Sequence, residues 1–364
     1  MTVSILSGDC RDLLRTLPDE SVHCIVTSPP YWGLRDYGVA GQIGLESTVD
    51  IWVNEMVEVF RECRRVLRDD GTLWLNLGDS YAGNRSAAWG PPSESSTLVG
   101  NGHLGGGPKL KSMTDSRRRD NAKCPRSDVR VAGLKPKDMV GQPWRVAFAL
   151  QADGWWLRSE IIWFKLNPMP ESVIDRPTRS HETIFLLSKS ARYYFDGGAI
   201  AEPASPNTHA RYAQNGGPVP TSGWADGDGP HDAVAHSRGR RKHGTDAEAR
   251  NRGRIKATAS FAAGTREMLE TRNTRTVWPL VAEPFREAHF ATFPTEIPRR
   301  CILAGCPEGG TVLDPFGGAG TTGLVADRLQ RDAILIELNP VYAEMARCRI
   351  QGDAPLFVEV ADAV

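Results

Sequence analysis

A strand that runs into a glycine-rich turn, a helix and a second strand constrains this chain more than any other segment. The turn lies in VLDPFGGAGTT, residues 312–322, with a strand over Thr311–Asp314, a helix over Thr322–Leu329 and a strand over Ala333–Leu338. Such a βαβ unit commits its strands to a parallel sheet, because only a crossover returns the chain to start a neighbour in the same direction. Gly317, Gly318 and Gly320 let the backbone approach a ligand closely, and free N–H groups at the helix start, near Thr321, can face it. Glu337 falls 20 residues after Gly317, at the end of the next strand, where a carboxylate can accept both hydroxyls of a ribose. The segment therefore predicts an adenosine-containing cofactor. A nicotinamide dinucleotide is the competitor, but the spacing is not G-x-G-x-x-G. Asp314-Pro315-Phe316 also puts an acid and an aromatic where a pyrophosphate would approach. A carboxylate there repels phosphate and attracts an amino or sulfonium group, a charge pattern that S-adenosylmethionine (AdoMet) fits, with Phe316 as a wall.

A second constellation stands near the other end of the chain. The strand His23–Thr27 ends in Ser28-Pro29-Pro30-Tyr31, followed by Trp32. Proline donates no ladder hydrogen bond, so the strand stops there and the backbone stiffens. The result is a small hydroxyl and carbonyls beside the aromatic faces of Tyr31 and Trp32. A rigid acceptor edge next to a stacking platform suits a flat ring bearing an amino group, such as a nucleobase. Taken alone, the same run is also a proline-rich turn packed on a core.

The rest of the chain frames these two segments. Val3–Leu6 reads as a strand, with Asp9 at the N-cap of the helix CRDLLRTL; Ile51–Leu67 repeats apolar residues at helical spacing; Thr72–Leu77 is a buried strand. The pattern is lost from 82 to about 135, a Gly/Ser/Pro-rich stretch carrying Arg117-Arg118-Arg119 that reads as a mobile basic loop. It resumes with a helix over Pro143–Gln151 and strands over Trp156–Lys165 and Thr183–Ser188. Residues 196–275 form a second polar region, with Arg238, Arg240, Arg241, Lys242, Arg252 and Arg254 as candidate phosphate contacts. A solvated charged face is the alternative for such a run. Lys+Arg and Asp+Glu both total 44, so net charge says nothing about a partner. The seven cysteines contain no C-x-x-C pair and read as reduced residues, without a metal site. No signal peptide and no run long enough for a membrane span is read, so the expected location is the cytoplasm.

The chain order of the motifs resembles that of the β-group DNA amino-methyltransferases. TSPPYW at 27–32 matches their catalytic loop, 196–275 the variable target-recognition region, and FGGAGTT at 316–322 the AdoMet-binding segment. SGDCRDLL, HFATFPTEIPRRCI, IELNPVYAEMA and RPTRSHETIFLLSKS resemble further family segments. The resemblance implies a Rossmann-like, circularly permuted α/β fold: a mostly parallel sheet with helices on both faces, plus an irregular recognition insertion. The implied divisions are 1–81 (catalytic half), 82–135 (loop), 136–195 (core continuation), 196–275 (recognition), 276–352 (AdoMet half) and 353–364 (tail). The family's cofactor role falls on Asp9, Thr295, Asp314, Phe316, Gly317, Gly318, Gly320, Thr321 and Glu337. Its catalytic role falls on Ser28, Pro29, Pro30 and Tyr31.

The implied partner is double-stranded DNA, with a homodimer and a cognate restriction endonuclease left open. In the implied chemistry a flipped base donates its amine to the Ser28 hydroxyl and the Pro29 carbonyl, while Tyr31 stacks on it with Trp32 nearby. Ser at the first loop position goes mostly with cytosine N4 in the family, Asp with adenine N6; N4-cytosine is the expectation and N6-adenine the alternative. Nicotinamide-dependent oxidoreduction, and a non-catalytic DNA-binding protein, are the readings from other classes.

Overall fold

The computed structural model describes residues 1–82, 133–168, 170–171, 173–204, 271–283, 293–353 and 359–361. The chain divides into two compact units, Met1–Ile200 with Arg275–Val364, and Ala201–Thr274. Within the second unit the described residues form a short antiparallel pair, β6 (Glu202–Pro203) and β7 (Thr271–Arg272). Arg272 bonds Glu202 across it at 3.2 Å.

The first unit is built on one nine-stranded sheet. Its strands are β1 (Thr2–Ser7), β2 (Val22–Thr27), β3 (Leu67–Leu77), β4 (Trp156–Lys165), β5 (His181–Ser188), β8 (Val277–Leu280), β9 (Thr311–Asp314), β10 (Asp332–Glu337) and β11 (Glu359–Ala361). They lie in the order β11-β1-β10-β9-β2-β3-β5-β4-β8. Only β5 runs antiparallel to its neighbours β3 and β4. The mixed, mostly parallel α/β sheet is the expected fold class.

Alternation along the strands explains the layers. Ile25, Leu73, Leu75 and Phe185 point to one face, where α1 (Cys10–Thr16), α2 (Val49–Val66) and α3 (Gln142–Ala152) supply Leu14, Trp52, Phe60 and Val146. Cys24, Val26, Trp74 and Leu186 point to the other, against Ile297 and Cys301 of α4 (Glu296–Gly305), Leu324 of α5 (Thr321–Arg328) and Ala346 of α6 (Pro340–Asp353). A sheet covered on both faces needs near-continuous apolar strands, which is why VHCIVT and TLWLNL lack a polar stripe. The same burial explains the cysteines. Of those described, five are buried and Cys348 is exposed; none is in a disulfide.

Three elements differ from the expectation. The strand after α2 begins at Leu67 rather than Thr72, because Leu67 pairs Val22 before a register shift carries Cys24 onto Thr72. β8 extends the edge beside β4, although its Pro279 weakens any strand signal. Part of the expected tail forms β11, which pairs β1 through Thr2–Ser4. Among the described residues no helix is long and apolar enough to cross a membrane.

Candidate active site

The site forms where the sheet changes direction of winding. From β9 the chain crosses through α5 to β10 on one side, while from β2 it crosses through α2 to β3 on the other. β9 and β2 are neighbours, paired at Cys24–Val312 and Ile25–Leu313, so a crevice opens beyond their carboxyl ends. The Ser28–Tyr31 loop leaves β2 and the glycine loop leaves β9, which brings both motifs to that crevice. Two buried hydrogen bonds lock the joint. Thr27 Oγ1 donates to Asp314 Oδ1 at 2.6 Å, and Thr322 Oγ1 to Asp314 Oδ2 at 2.7 Å. The Phe316 N–H adds a third at 3.0 Å. Burial pushes the Asp314 carboxyl up to about 6 despite these bonds, which pull it back down.

The crevice holds about 1070 Å³ of empty space, part of it open to solvent. Gly8, Asp9, Ser28–Tyr31, Phe293, Asp314–Ala319, Thr321 and Ile336–Asn339 are among its walls. Residues 33–44 close another side. The Gly33 N–H bonds Gly44 O at 2.9 Å, so the loop ends meet, and Gln42 holds both Tyr37 N and Arg35 O. Arg11 ties this loop to Asp9 by donating to Gly41 O at 2.8 Å and to Asp9 Oδ2 at 2.6 Å. Burial alone would raise the Asp9 carboxyl, but the Arg11 bonds and charge hold it below its ordinary value. Glu337 accepts from Gly318 N and Asn339 N, each at 2.8 Å, and burial raises its carboxyl. Each of its oxygens keeps a second lone pair for a ligand hydroxyl.

The donor set fits AdoMet. Three carboxylates line the crevice, Asp9, Asp314 and Glu337, and among the described residues no Lys or Arg does. That charge pattern suits a ligand bearing ammonium and sulfonium groups and opposes the pyrophosphate of a dinucleotide. Phe316, Phe293, Ile336 and Tyr342 give it apolar walls.

The Ser28–Tyr31 loop is held from behind by a polar cluster. Tyr31 Oη donates to Glu182 Oε2 at 2.9 Å, and Lys165 Nζ donates to Glu182 Oε1 at 2.6 Å. Asn76 Nδ2 lies 2.9 Å from Glu182 Oε2, 3.1 Å from Tyr31 Oη and 3.3 Å from Ser28 Oγ. Ser28 Oγ and Tyr31 Oη are 3.3 Å apart. Burial pushes the Tyr31 phenol well up, with the Glu182 charge adding to it, so Tyr31 is a neutral donor. Burial would raise Glu182, but Lys165 and the surrounding donors bring it below the ordinary range. Gly78 packs against the Tyr31 ring so closely that a Cβ there would stand 2.6 Å from Cε2.

The structure revises several sequence assignments. Trp32 is 6 % exposed and forms no wall of the crevice; its indole N–H donates to Glu46 O at 2.8 Å, and Gln142 holds its backbone. It anchors the loop in the core and offers no stacking face. The Pro30 carbonyl is occupied by Trp52 Nε1 at 3.1 Å, while the Pro29 carbonyl accepts from no protein donor among the described residues. Thr295 lies outside the crevice, bonded through Oγ1 to Glu283 at 2.8 Å, because the turn before α4 aims it outward; Phe293 takes the wall position. Gly320 is required by packing rather than by a ligand: its φ is 73° and a Cβ would meet Ala346 Cβ at 2.8 Å. Asp79, at the end of β3, caps α3 through Gly141 N and Gln142 N. Arg238, Arg240, Arg241, Lys242, Arg252 and Arg254 lie outside the described residues. Asn76 and Lys165 escaped the sequence reading. The signal for Asn76 was a lone amide in the apolar run TLWLNL, since a buried polar group needs partners.

The profile of the DNA methylase family of N6- and N4-methyltransferases matches residues 22–347, and the chain belongs to that family. It is 41 % identical over 361 residues to the type II methyltransferase M.Cfr9I of Citrobacter freundii, covering 99 % of this chain and 91 % of that one. It is also 41 % identical over 347 residues to the type II methyltransferase M.SmaI of Serratia marcescens, covering 95 % and 90 %. Among solved structures, a Thermus thermophilus protein in complex with S-adenosyl-L-methionine matches with a TM-score of 0.54 at 22 % identity, covering 100 % and 99 %. The cytosine-N4-specific PvuII DNA methyltransferase also gives 0.54, at 16 % identity, covering 96 % and 87 %. The chain is thus a DNA amino-methyltransferase of this family, with AdoMet as its cofactor and DNA as its substrate.

Proposed function

We propose that the methylated atom is the exocyclic N4 of cytosine in double-stranded DNA, presented by flipping the base out of the stack. The observation that carries this reading is the acceptor pair at the crevice, the neutral Ser28 hydroxyl beside the Pro29 carbonyl. The loop's first position, which holds a carboxylate in enzymes that mostly methylate adenine, here holds a hydroxyl. The PvuII enzyme is cytosine-N4-specific, so a fold of this type accommodates that target.

When bound, AdoMet supplies an electrophilic methyl group on a sulfonium. In this reading Glu337 takes the ribose hydroxyls, Asp9 stands on the adenine side, and Asp314, Phe316 and the Gly317–Gly318 backbone hold the remainder. An exocyclic amine is a weak nucleophile because its lone pair is conjugated into the ring. Ser28 Oγ and Pro29 O, by accepting its two hydrogens, draw the nitrogen toward a tetrahedral geometry. The lone pair so oriented would face the methyl group that bound AdoMet supplies, and the proton given up by the methylated nitrogen would pass to solvent. Tyr31, fixed by Glu182 and Gly78, is the aromatic wall for the flipped base. Preorganised acceptors and positioning account for the rate, without a covalent intermediate.

Residues 82–135 and 196–275 are assigned to DNA contact and target recognition, and a cognate endonuclease and a homodimer belong to the same reading. Digesting DNA methylated by the protein to nucleosides for mass spectrometry, with long-read sequencing to report the site, tests it. N4-methylcytosine is the expected product. N6-methyladenine alone would show that the hydroxyl at position 28 does not select cytosine.

A further inference from the structure

We infer that Lys165 and Glu182 are positioning residues that make the Ser28 hydroxyl a pure acceptor toward the crevice. The inference rests on the reading that Ser28 receives the target amine. It follows from counting hydrogens in the cluster behind the loop. An ionised carboxylate can only accept, and Lys165 at 2.6 Å keeps Glu182 ionised. The Asn76 amide must therefore face Glu182 with its nitrogen, as its 2.9 Å contact requires. Tyr31 must donate its one proton to Glu182, at 2.9 Å. With that proton committed, Tyr31 Oη can only accept in its 3.3 Å contact with Ser28, so the Ser28 proton points inward.

Asn76 cannot reverse this, because at 3.3 Å it offers Ser28 a donor. At least one lone pair of Ser28 Oγ is left for the crevice, where an amine N–H must donate. Without the charge on Glu182, Tyr31 is free to donate to Ser28. The Ser28 proton then turns outward and opposes the amine. A second carboxylate at position 28 would add like-charge repulsion toward Glu182. The negative charge lies two hydrogen bonds behind Ser28, through Tyr31.

The test is single-turnover methyl transfer to DNA carrying the recognised site, with AdoMet affinity by calorimetry and melting temperature on the same proteins. Glu182→Gln should slow transfer about 100-fold, the scale for one preorganised polar group, with AdoMet affinity within about twofold. The E182Q/K165M pair removes the unpaired lysine and should recover melting temperature but not rate. Tyr31→Phe removes the same O–H, so Y31F combined with E182Q should be no slower than the slower single variant, whereas independent losses multiply. A Glu182→Gln rate near wild type, or losses that multiply, overturns the inference. Ser28→Ala separates the two levels. If S28A is inactive while E182Q is unimpaired, only the present inference fails; if S28A keeps the wild-type rate, the role of Ser28 fails first and takes the inference with it.

Discussion

Replacing Gly78 by Ala should slow methyl transfer while changing no side chain that meets substrate, because it displaces the Tyr31 ring. Gly78 follows β3 and does not occupy a left-handed conformation, so an Ala is acceptable to its backbone. The obstacle is the Tyr31 ring. An added Cβ would lie 2.6 Å from Cε2, 3.2 Å from Cδ2 and 3.3 Å from Cζ. Ordinary carbon contacts begin near 3.4 Å, so the ring must retreat by about 0.8 Å. The ring is tethered at its far end, where the bond to Glu182 is 2.9 Å and the contact to Ser28 already 3.3 Å. The latter has only about 0.2 Å left before it ceases to be a hydrogen bond. Overpacking of this kind costs about 1–3 kcal/mol, and displacement of a positioned group by about 1 Å lowers a rate on the order of 100-fold. Single-turnover methyl transfer by Gly78→Ala should fall by that factor, with AdoMet affinity by calorimetry unchanged. Gly71→Ala is the control for general destabilisation. Its Cβ would meet Leu67 Cγ at 2.5 Å, in the first half of β3 and away from Tyr31. It should lower the melting temperature and leave the rate alone. A Gly78→Ala protein that melts lower yet transfers at the wild-type rate refutes the claim that Tyr31 placement limits the reaction.

Three further outcomes follow from the crevice. Burial raises Asp314 from 3.8 to about 6, so its contribution to stability is full below about pH 4 and lost as pH rises through about 6. The stability of Asp314→Asn relative to wild type should therefore climb by up to about 3 kcal/mol between those pH values in urea titrations; a difference that does not change with pH contradicts the assignment. Glu337→Gln places an amide N–H₂ against Gly318 N or Asn339 N, and AdoMet affinity by calorimetry should fall by about 10- to 100-fold. Thr295→Val, outside the crevice, should leave that affinity unchanged; a comparable loss would return Thr295 to the cofactor site.

The contrast between Glu337 and Thr295 marks what the sequence could disclose. Glu337 was legible because it ends a strand whose neighbour carries the glycine loop, and strand ends meet in space when strands pair. Thr295 has no such constraint. It precedes a helix, and the turn decides which way it faces. Trp32 shows the same limit, since an aromatic beside a catalytic loop can anchor it or face the ligand. Burial distinguishes these roles, and burial depends on Glu46 and Gln142, residues far along the chain or on another element. RPTRSHETIFLLSKS marks Glu182 as a residue that supports the fold or lines the base pocket, but its meeting with Lys165 and Asn76 was hidden for a related reason. Lys165, Glu182 and Asn76 sit on β4, β5 and β3, and their meeting depends on β5 entering antiparallel between the other two. Pairing of Trp163 with Glu182, and of Asn76 with Ile184, brings the start of β5 to the ends of β3 and β4.

That antiparallel strand also explains why the polar cluster lies behind the loop. In a parallel sheet only carboxyl ends reach the crevice, so every residue supplied to it follows a strand. β5 reverses this and delivers its amino end, with Glu182 on it, to the same side. The sheet thereby supports the Ser28 loop from two directions. Thr27 and Asp314, 287 residues apart, join it to the cofactor loop on the β9 side. Glu182 joins it to the β5 side through Tyr31. The order in which these elements occur along the chain does not affect this arrangement, since only adjacency in the sheet determines which strand ends meet. A proline-rich loop near residue 30 and a glycine-rich loop near residue 317 can therefore line one crevice. The charge that orients the acceptor hydroxyl comes from a third segment that neither motif contains.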